Sequence, residues 1–242
     1  MARLPRLYAP ATAQLAQARF AQPLAEPGDA APASDLDLLT QWLRESAREN
    51  GVAVHGWALL PETLTLLATP PGADALPRLM QAFGRRYASR LRHGRVYAGR
   101  YRGALVEAGS WVLPALAWLE SLPVAAGRAD QAAEWPWSSA AGHVGRDARR
   151  NAWLVDHADY WKMDDTPFAR QAAYRQLLEH GLGEAQRKRI EQALFGQWAL
   201  GGAAFLKRLA TTASRRAAPA PRGRPRKKAA GVVTPIKTPR GR

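Results

Sequence analysis

Apolar positions in this chain recur first at helical spacing, then at strand spacing, and then the cycle repeats. Residues 35–50 place Leu36, Leu39, Leu43 and Ala47 on one helical face. Ser34 is the expected N-cap, Asp37 completes a capping box three residues on, and Asn50-Gly51 ends the helix. Residues 52–59 read as a strand, Leu60-Pro61-Glu62 as a turn, and residues 63–69 alternate as a second strand, which predicts a hairpin. Helical period returns over 75–92, where Leu76, Leu79, Met80, Phe83, Tyr87 and Leu91 form one stripe opposite Arg78, Arg85 and Arg92. A strand over 101–107 follows, then a helix from 110 to 121 with Ser110 as its cap and Pro114 confined to its first turns. Residues 128–160 read as an irregular wrap rich in tryptophan. Three further helices are expected near 166–180, 183–196 and 201–213. Residues 1–33 are rich in alanine and proline and give no firm periodicity.

The order helix, hairpin, helix, strand, helix predicts an α+β fold with an antiparallel sheet covered on one face by helices. A ferredoxin-like sheet is one economical arrangement of these parts, though periodicity alone does not choose it. The chain divides into a first domain over 1–145, a helical extension over 146–213 and a basic tail over 214–242. The tail is rich in Pro, Gly, Lys and Arg, so it cannot bury a core and is expected to be disordered on its own.

Composition narrows the function classes. Apolar residues are 47% of 242, with nine tryptophans, enough for a sizeable core. There is no cysteine, which removes disulfides, zinc–thiolate sites and thiol catalysis. No apolar run approaches the ~18 residues that span a bilayer. The opening Met1-Ala2-Arg3-Leu4-Pro5-Arg6 lacks the apolar stretch of a secretory signal, so a cytoplasmic protein is expected. Net charge is +15, a surplus that attracts polyanions, nucleic acid first among them. Ten basic residues and no acidic one fall between Ser214 and Arg242, so the rest of the chain is only mildly basic.

Several motifs together resemble one family. The run Gly84-Arg85-Arg86-Tyr87, then Gly94-Arg95, then Gly99-Arg100-Tyr101-Arg102 is similar to a G-R-R-Y…G-R…G-R-Y-R series. Pro123-Val124 with Ala126-Gly127 matches part of N-P-V-R-A-G, and Trp135-Pro136-Trp137-Ser138-Ser139 matches Y-P-W-S-S. With the right spacing between these blocks, residues 35–140 resemble the bacterial REP-associated tyrosine transposases, of the HUH single-strand class. The resemblance implies a ferredoxin-like domain that cuts and rejoins single-stranded DNA near hairpins.

It also implies which positions ought to carry the chemistry. The family's M-P-N-H-V-H-L-L segment corresponds to Leu60-Pro61-Glu62-Thr63-Leu64-Thr65-Leu66-Leu67. Two histidines one residue apart on a strand point to the same face and can hold one divalent ion, such as magnesium, against the scissile phosphate. A tyrosine from a nearby helix then attacks and forms a phosphotyrosine. Here Thr63 and Thr65 stand at the histidines. Alignment on Pro123-Val124 places Trp118 at the tyrosine, Ala117 at an arginine and Leu122 at an asparagine. Threonine hydroxyls are poor ligands beside imidazole, and indole is no oxygen nucleophile. The expectation is a DNA-binding scaffold with no catalytic residues and no cofactor. An active transposase with a rearranged site is the alternative. His55, Glu62, Tyr87, Tyr97 and Tyr101 are its candidate substitutes, and each reads more simply as a core or solvated residue.

DNA contacts are expected from Arg85, Arg86, Tyr87, Arg90, Arg95, Arg100 and Arg102, part of a run of seven arginines between 85 and 102. Arginine engages phosphate bidentately, and aromatics offer stacking platforms to unpaired bases. A solvated helix face and a charged turn are the plainer reading. In the tail, Arg222, Arg224 and Arg226 lie in a Pro-Arg-Gly-Arg-Pro-Arg segment resembling an AT-hook core. Such a segment can enter an A·T-rich minor groove, or bind any polyanion through counterion release. The expected partner is therefore single-stranded or hairpin DNA, with A·T-rich duplex for the tail, no membrane, and a monomer or homodimer near the nucleoid.

Overall fold

The computed structural model describes residues 5–25, 29–91 and 94–219. Its frame is β1 (Gln14–Arg19), α1 (Ala33–Glu49), β2 (Ala53–Leu60), β3 (Thr63–Thr69), α2 (Ala75–Leu91) and β4 (Arg102–Leu105). The sheet order is β2-β3-β1-β4, with every neighbouring pair antiparallel. A β-α-β-β-α-β chain in this strand order is the ferredoxin-like arrangement. The hairpin closes through Leu60 opposite Thr63, leaving Pro61 and Glu62 as the turn.

Two features were hidden in the pattern. β1 lies at the centre of the sheet, in the segment where no period was found. Its Leu15, Ala16 and Ala18 are all buried because both of its faces are covered, so no apolar/polar alternation marks it. The second feature is a break in register between Val54 and Gly56. The extra residue, His55, rotates the strand so that Val54 and Trp57, three apart, share one face.

Side chains then alternate cleanly. Leu64, Leu66 and Ala68 of β3 meet Leu36, Leu39 and Leu43 of α1 and Leu76, Leu79 and Phe83 of α2. On the opposite side, Leu67 joins Leu15, Ala58, Leu60 and Ala104 beneath α3 (Val112–Glu120). The sheet is thus covered on its second face as well. The short helices α4 (Leu122–Ala125), α5 (Ala140–His143) and α6 (Ala158–Trp161) lead to α7 (Pro167–His180), α8 (Glu184–Gly196) and α9 (Ala203–Thr212). Tyr174 of α7 and Ile190 and Leu194 of α8 pack in the same core as α3, so the helical extension shares the sheet's second hydrophobic layer. Phe205 and Leu209 of α9 pack with Leu7, Ala9 and Leu105.

Both expected helix caps are corrected. α1 begins at Ala33 behind Pro32 with no side-chain cap bond, and Asp37 instead accepts the Trp137 Nε1–H at 2.8 Å. The N-cap of α3 is Trp111 and not Ser110, again without a side-chain bond. The packed chain also runs beyond residue 213. Ser214 donates its backbone N–H to Tyr8 and its hydroxyl to the Arg6 carbonyl, and Ala217 is buried. Both sheet edges are covered: Leu59 and Ser139 N–H groups tie β2 to the 137–139 segment, and Leu200 bonds Leu105 of β4. Among the described residues, no helix is long and apolar enough to cross a membrane.

Candidate nucleic-acid interface

β3 is the strand on which a metal-holding pair would have to sit, and its period places Thr63, Thr65 and Leu67 on the α3 side. Thr65 is fully buried between Ala58 of β2 and Gln17 of β1. Its hydroxyl accepts a hydrogen bond from Gln17 Nε2 at 3.1 Å. Thr63, half-buried, lies opposite Leu60 and Arg19. α3 presses hard on this face: a Cβ at Gly56 would stand 2.1 Å from Leu116 Cδ1. Trp118 of α3 is buried in the same apolar cluster as Ala58, Leu60 and Leu67. The surface that would hold a divalent ion is lined by two hydroxyls, an amide and hydrocarbon. That donor set does not fit the magnesium ion the resemblance implies, which takes oxygen ligands dominated by carboxylate and water.

None of the candidate substitutes comes to this face with reactive chemistry. His55 is buried, with Nδ1 2.6 Å from the Val155 carbonyl and Nε2 2.8 Å from Thr69 Oγ1. Burial is the main cause lowering its pKa to about 4, so the ring is neutral. Glu62 lies in the hairpin turn, 3.8 Å from Arg128. Tyr97 donates its hydroxyl to the Met80 carbonyl at 2.7 Å, and burial raises its pKa well above the usual phenol range. Tyr101 is held beneath the Arg6 guanidinium, 4.1 Å from its ring centroid, and burial pushes its pKa to about 12. Among the described residues, no three His, Cys, Asp or Glu side chains converge in a metal-holding group.

α3 is fixed in place by a network that sequence reasoning missed. Glu120, fully buried, accepts from the Ser139 hydroxyl and, at 2.8 Å, from the Tyr174 hydroxyl. Its Oε1 lies 2.6 Å from Nδ1 of His143, and Asp156 stands 3.7 Å from the other ring nitrogen. Burial opposes a charge on His143, but the Glu120 carboxylate, with help from Asp156, outweighs it and raises the pKa to about 9. One buried ion pair therefore joins α3, α5 and α7. Glu120 and His143 are 23 residues apart, and nothing in either local pattern advertises the pairing.

The arginine run divides into distinct roles. Arg86 reaches back to α1, bonding Glu49 at 2.5 Å and Ser46 at 3.0 Å, and Arg90 bonds Asp35 at 2.7 Å. These two tie α2 to α1. Tyr87 is 1% exposed and packs edge-on against Phe20, so its ring offers no platform to a base in this conformation. Burial raises its pKa to about 12. Arg85, Arg95, Arg100 and Arg102 are exposed, and Arg102 lies over the Phe195 ring at 5.3 Å. The tail arginines Arg222, Arg224 and Arg226 lie outside the described residues.

Solved structures similar to the chain include the following two. One is a REP-associated tyrosine transposase bound to a REP hairpin, at 15% identity and TM-score 0.49, covering 65% of this chain and 92% of that one. The other is a Deinococcus radiodurans R1 protein solved as a candidate transposase, at 22% identity and TM-score 0.33, covering 45% and 88%. Neither likeness carries weight at these scores, and the ferredoxin-like topology stands on the strand order itself. No family model and no curated protein matches the chain.

The buried pair sets a pH dependence. Since the folded His143 pKa lies above its unfolded value of 6.5, its contribution is complete below pH 6.5 and is lost as pH rises through about 9. Urea midpoints measured at pH 6, 7.5 and 9.5 should fall across this window in the native chain. In the Glu120→Gln/His143→Gln double variant, which leaves no stranded carboxylate, the fall should be absent, and an unchanged fall there would refute the assignment.

Proposed function

We propose that this chain is a DNA-binding protein built on the single-strand tyrosine transposase scaffold, and that it does not cut DNA. The observation that carries the reading is Thr65, fully buried and bonded to Gln17 where a metal ligand would be required. Trp118 at the nucleophile position, the apolar packing of α3 and the engaged state of Tyr97, Tyr101 and His55 support it. For DNA binding, support comes from the motif series, from exposed Arg85, Arg95, Arg100 and Arg102, and from the +15 charge. The partner is single-stranded or hairpin DNA, with the Arg222–Arg226 segment engaging neighbouring A·T-rich duplex in the nucleoid.

Two experiments test this. If about six phosphates are contacted, affinity for a hairpin oligonucleotide should fall by about three orders of magnitude between 50 and 200 mM salt. A flat profile in fluorescence anisotropy would reject binding of this kind. Separately, the full chain incubated with magnesium or manganese and end-labelled hairpin DNA should give neither cleavage nor a denaturation-resistant adduct. An adduct that disappears when one tyrosine is changed to phenylalanine would restore the enzyme reading.

A further inference from the structure

A cavity of about 990 Å³ lies at the β2 edge of the sheet, between α1 and the tryptophan-rich wrap. It belongs to the α1 side, away from the Thr63–Thr65 face. Trp57, Trp137 and Trp153 supply its aromatic wall, and Arg44, Arg48 and Arg149 its cationic rim. Two facts make it more than a crevice. The Nε1–H groups of Trp57 and Trp153, two residues that line it, are closed off from solvent and have no acceptor among the described residues. Trp57 is fully buried, and an unmatched donor in such a place is destabilising until an acceptor reaches it.

The charges around the rim are also unequal in their commitments. Asp37 is taken by the Trp137 indole, and Glu45 by Gln41 and Arg86. Asp147 also has a partner. Arg44, Arg48 and Arg149 are exposed and make no salt bridge among the described residues. Arg48 and Arg85 both act on the Glu49 carboxyl, so the cationic rim continues across the end of α1 onto the exposed arginine of α2.

We infer that this cavity takes an unpaired nucleotide, its base against the partly exposed rings of Trp137 and Trp153, a ring or carbonyl acceptor reaching the idle indole N–H groups as the Trp153 ring shifts off Trp57, and its phosphate on the arginine rim. Planar rings, hydrogen-bond acceptors and an anionic group are the three properties the lining matches at once. A nucleotide free in solution and an extruded base of a single strand share this chemistry. The inference does not depend on the fate of the β3 face or on hairpin binding.

The test uses the full chain labelled with ¹⁵N-tryptophan, each indole signal assigned by single Trp→Phe variants. Titration with 2′-deoxyadenosine 5′-monophosphate should move the Trp57 and Trp153 Nε1–H signals and leave that of Trp198 in place. Arg44→Ala and Arg48→Ala, both at exposed positions, should each weaken the response about tenfold. Trp153→Phe keeps an aromatic ring but removes the N–H, and should retain binding with reduced affinity. A five-nucleotide single strand added in parallel separates the sources: movement of the same two signals at lower concentration assigns the site to a strand, and movement by the mononucleotide alone assigns it to a free nucleotide. Unmoved indoles at millimolar nucleotide would overturn the proposal. The same shifts produced by inorganic phosphate alone would overturn it too, leaving a plain anion site.

Discussion

The rest of the structure depends on how β3 and β1 are buried. Both are inner strands with helices on each side, so most of the side chains they project, Thr65 among them, enter a dry layer, while Arg19 at the end of β1 is exposed and Thr63 at the start of β3 is half-buried. A residue such as Thr65 cannot then meet solvent, a metal ion or a phosphate unless a helix moves off the sheet. What holds that helix is the buried Glu120–His143 pair with Ser139 and Tyr174, a fully desolvated contact whose loss would strand a charge in hydrocarbon. Strand burial and helix clamp together turn the β3–α3 space into core.

That arrangement separates the two kinds of arginine along α2. Arg86 and Arg90 are spent on α1, where they stabilise helix–helix packing through carboxylates at the surface. Arg85 of α2 and Arg95 of the following turn are exposed, where a polyanion can reach them. A run that looks uniform in sequence is therefore part scaffold and part surface, and the division follows from the position of α1's Asp35, Glu45 and Glu49. The tryptophans divide similarly: Trp57 belongs to one layer of the core and Trp118 to the other, while Trp137 and Trp153 present partly exposed rings to the cavity beside Trp57.

Much of this was legible in the sequence. The hairpin over 53–69, the helices over 75–91, 167–180 and 184–196, and the antiparallel frame follow from periodicity, because those elements each bury one face or end at a Pro or Gly signal. β1 was not legible, since a strand covered on both sides and built from Gln, Leu and Ala shows no alternation. The bulge at His55 was hidden because the strand is apolar on both faces, and Gly56 beside the break also serves the close approach of Leu116 from α3. The caps at Ser34 and Ser110 failed for a different reason: the local motif was present, but tertiary contacts, Asp37 with Trp137 and Gly109 with Asp159, claimed the region. Glu120, His143 and Tyr174 meet only after folding, so no window of sequence contains them.

The most direct measurement is of the ion itself. Manganese(II) at low micromolar concentration, titrated with the full chain and followed by the free-ion electron paramagnetic resonance signal, reports whether any tight divalent site forms. With Thr65 sealed under α3 and bonded to Gln17, the free-ion signal should persist at stoichiometric protein. Loss of that signal, and its recovery on Gln17→Leu or Thr65→Val substitution, would place a working metal site in the very space described here as core.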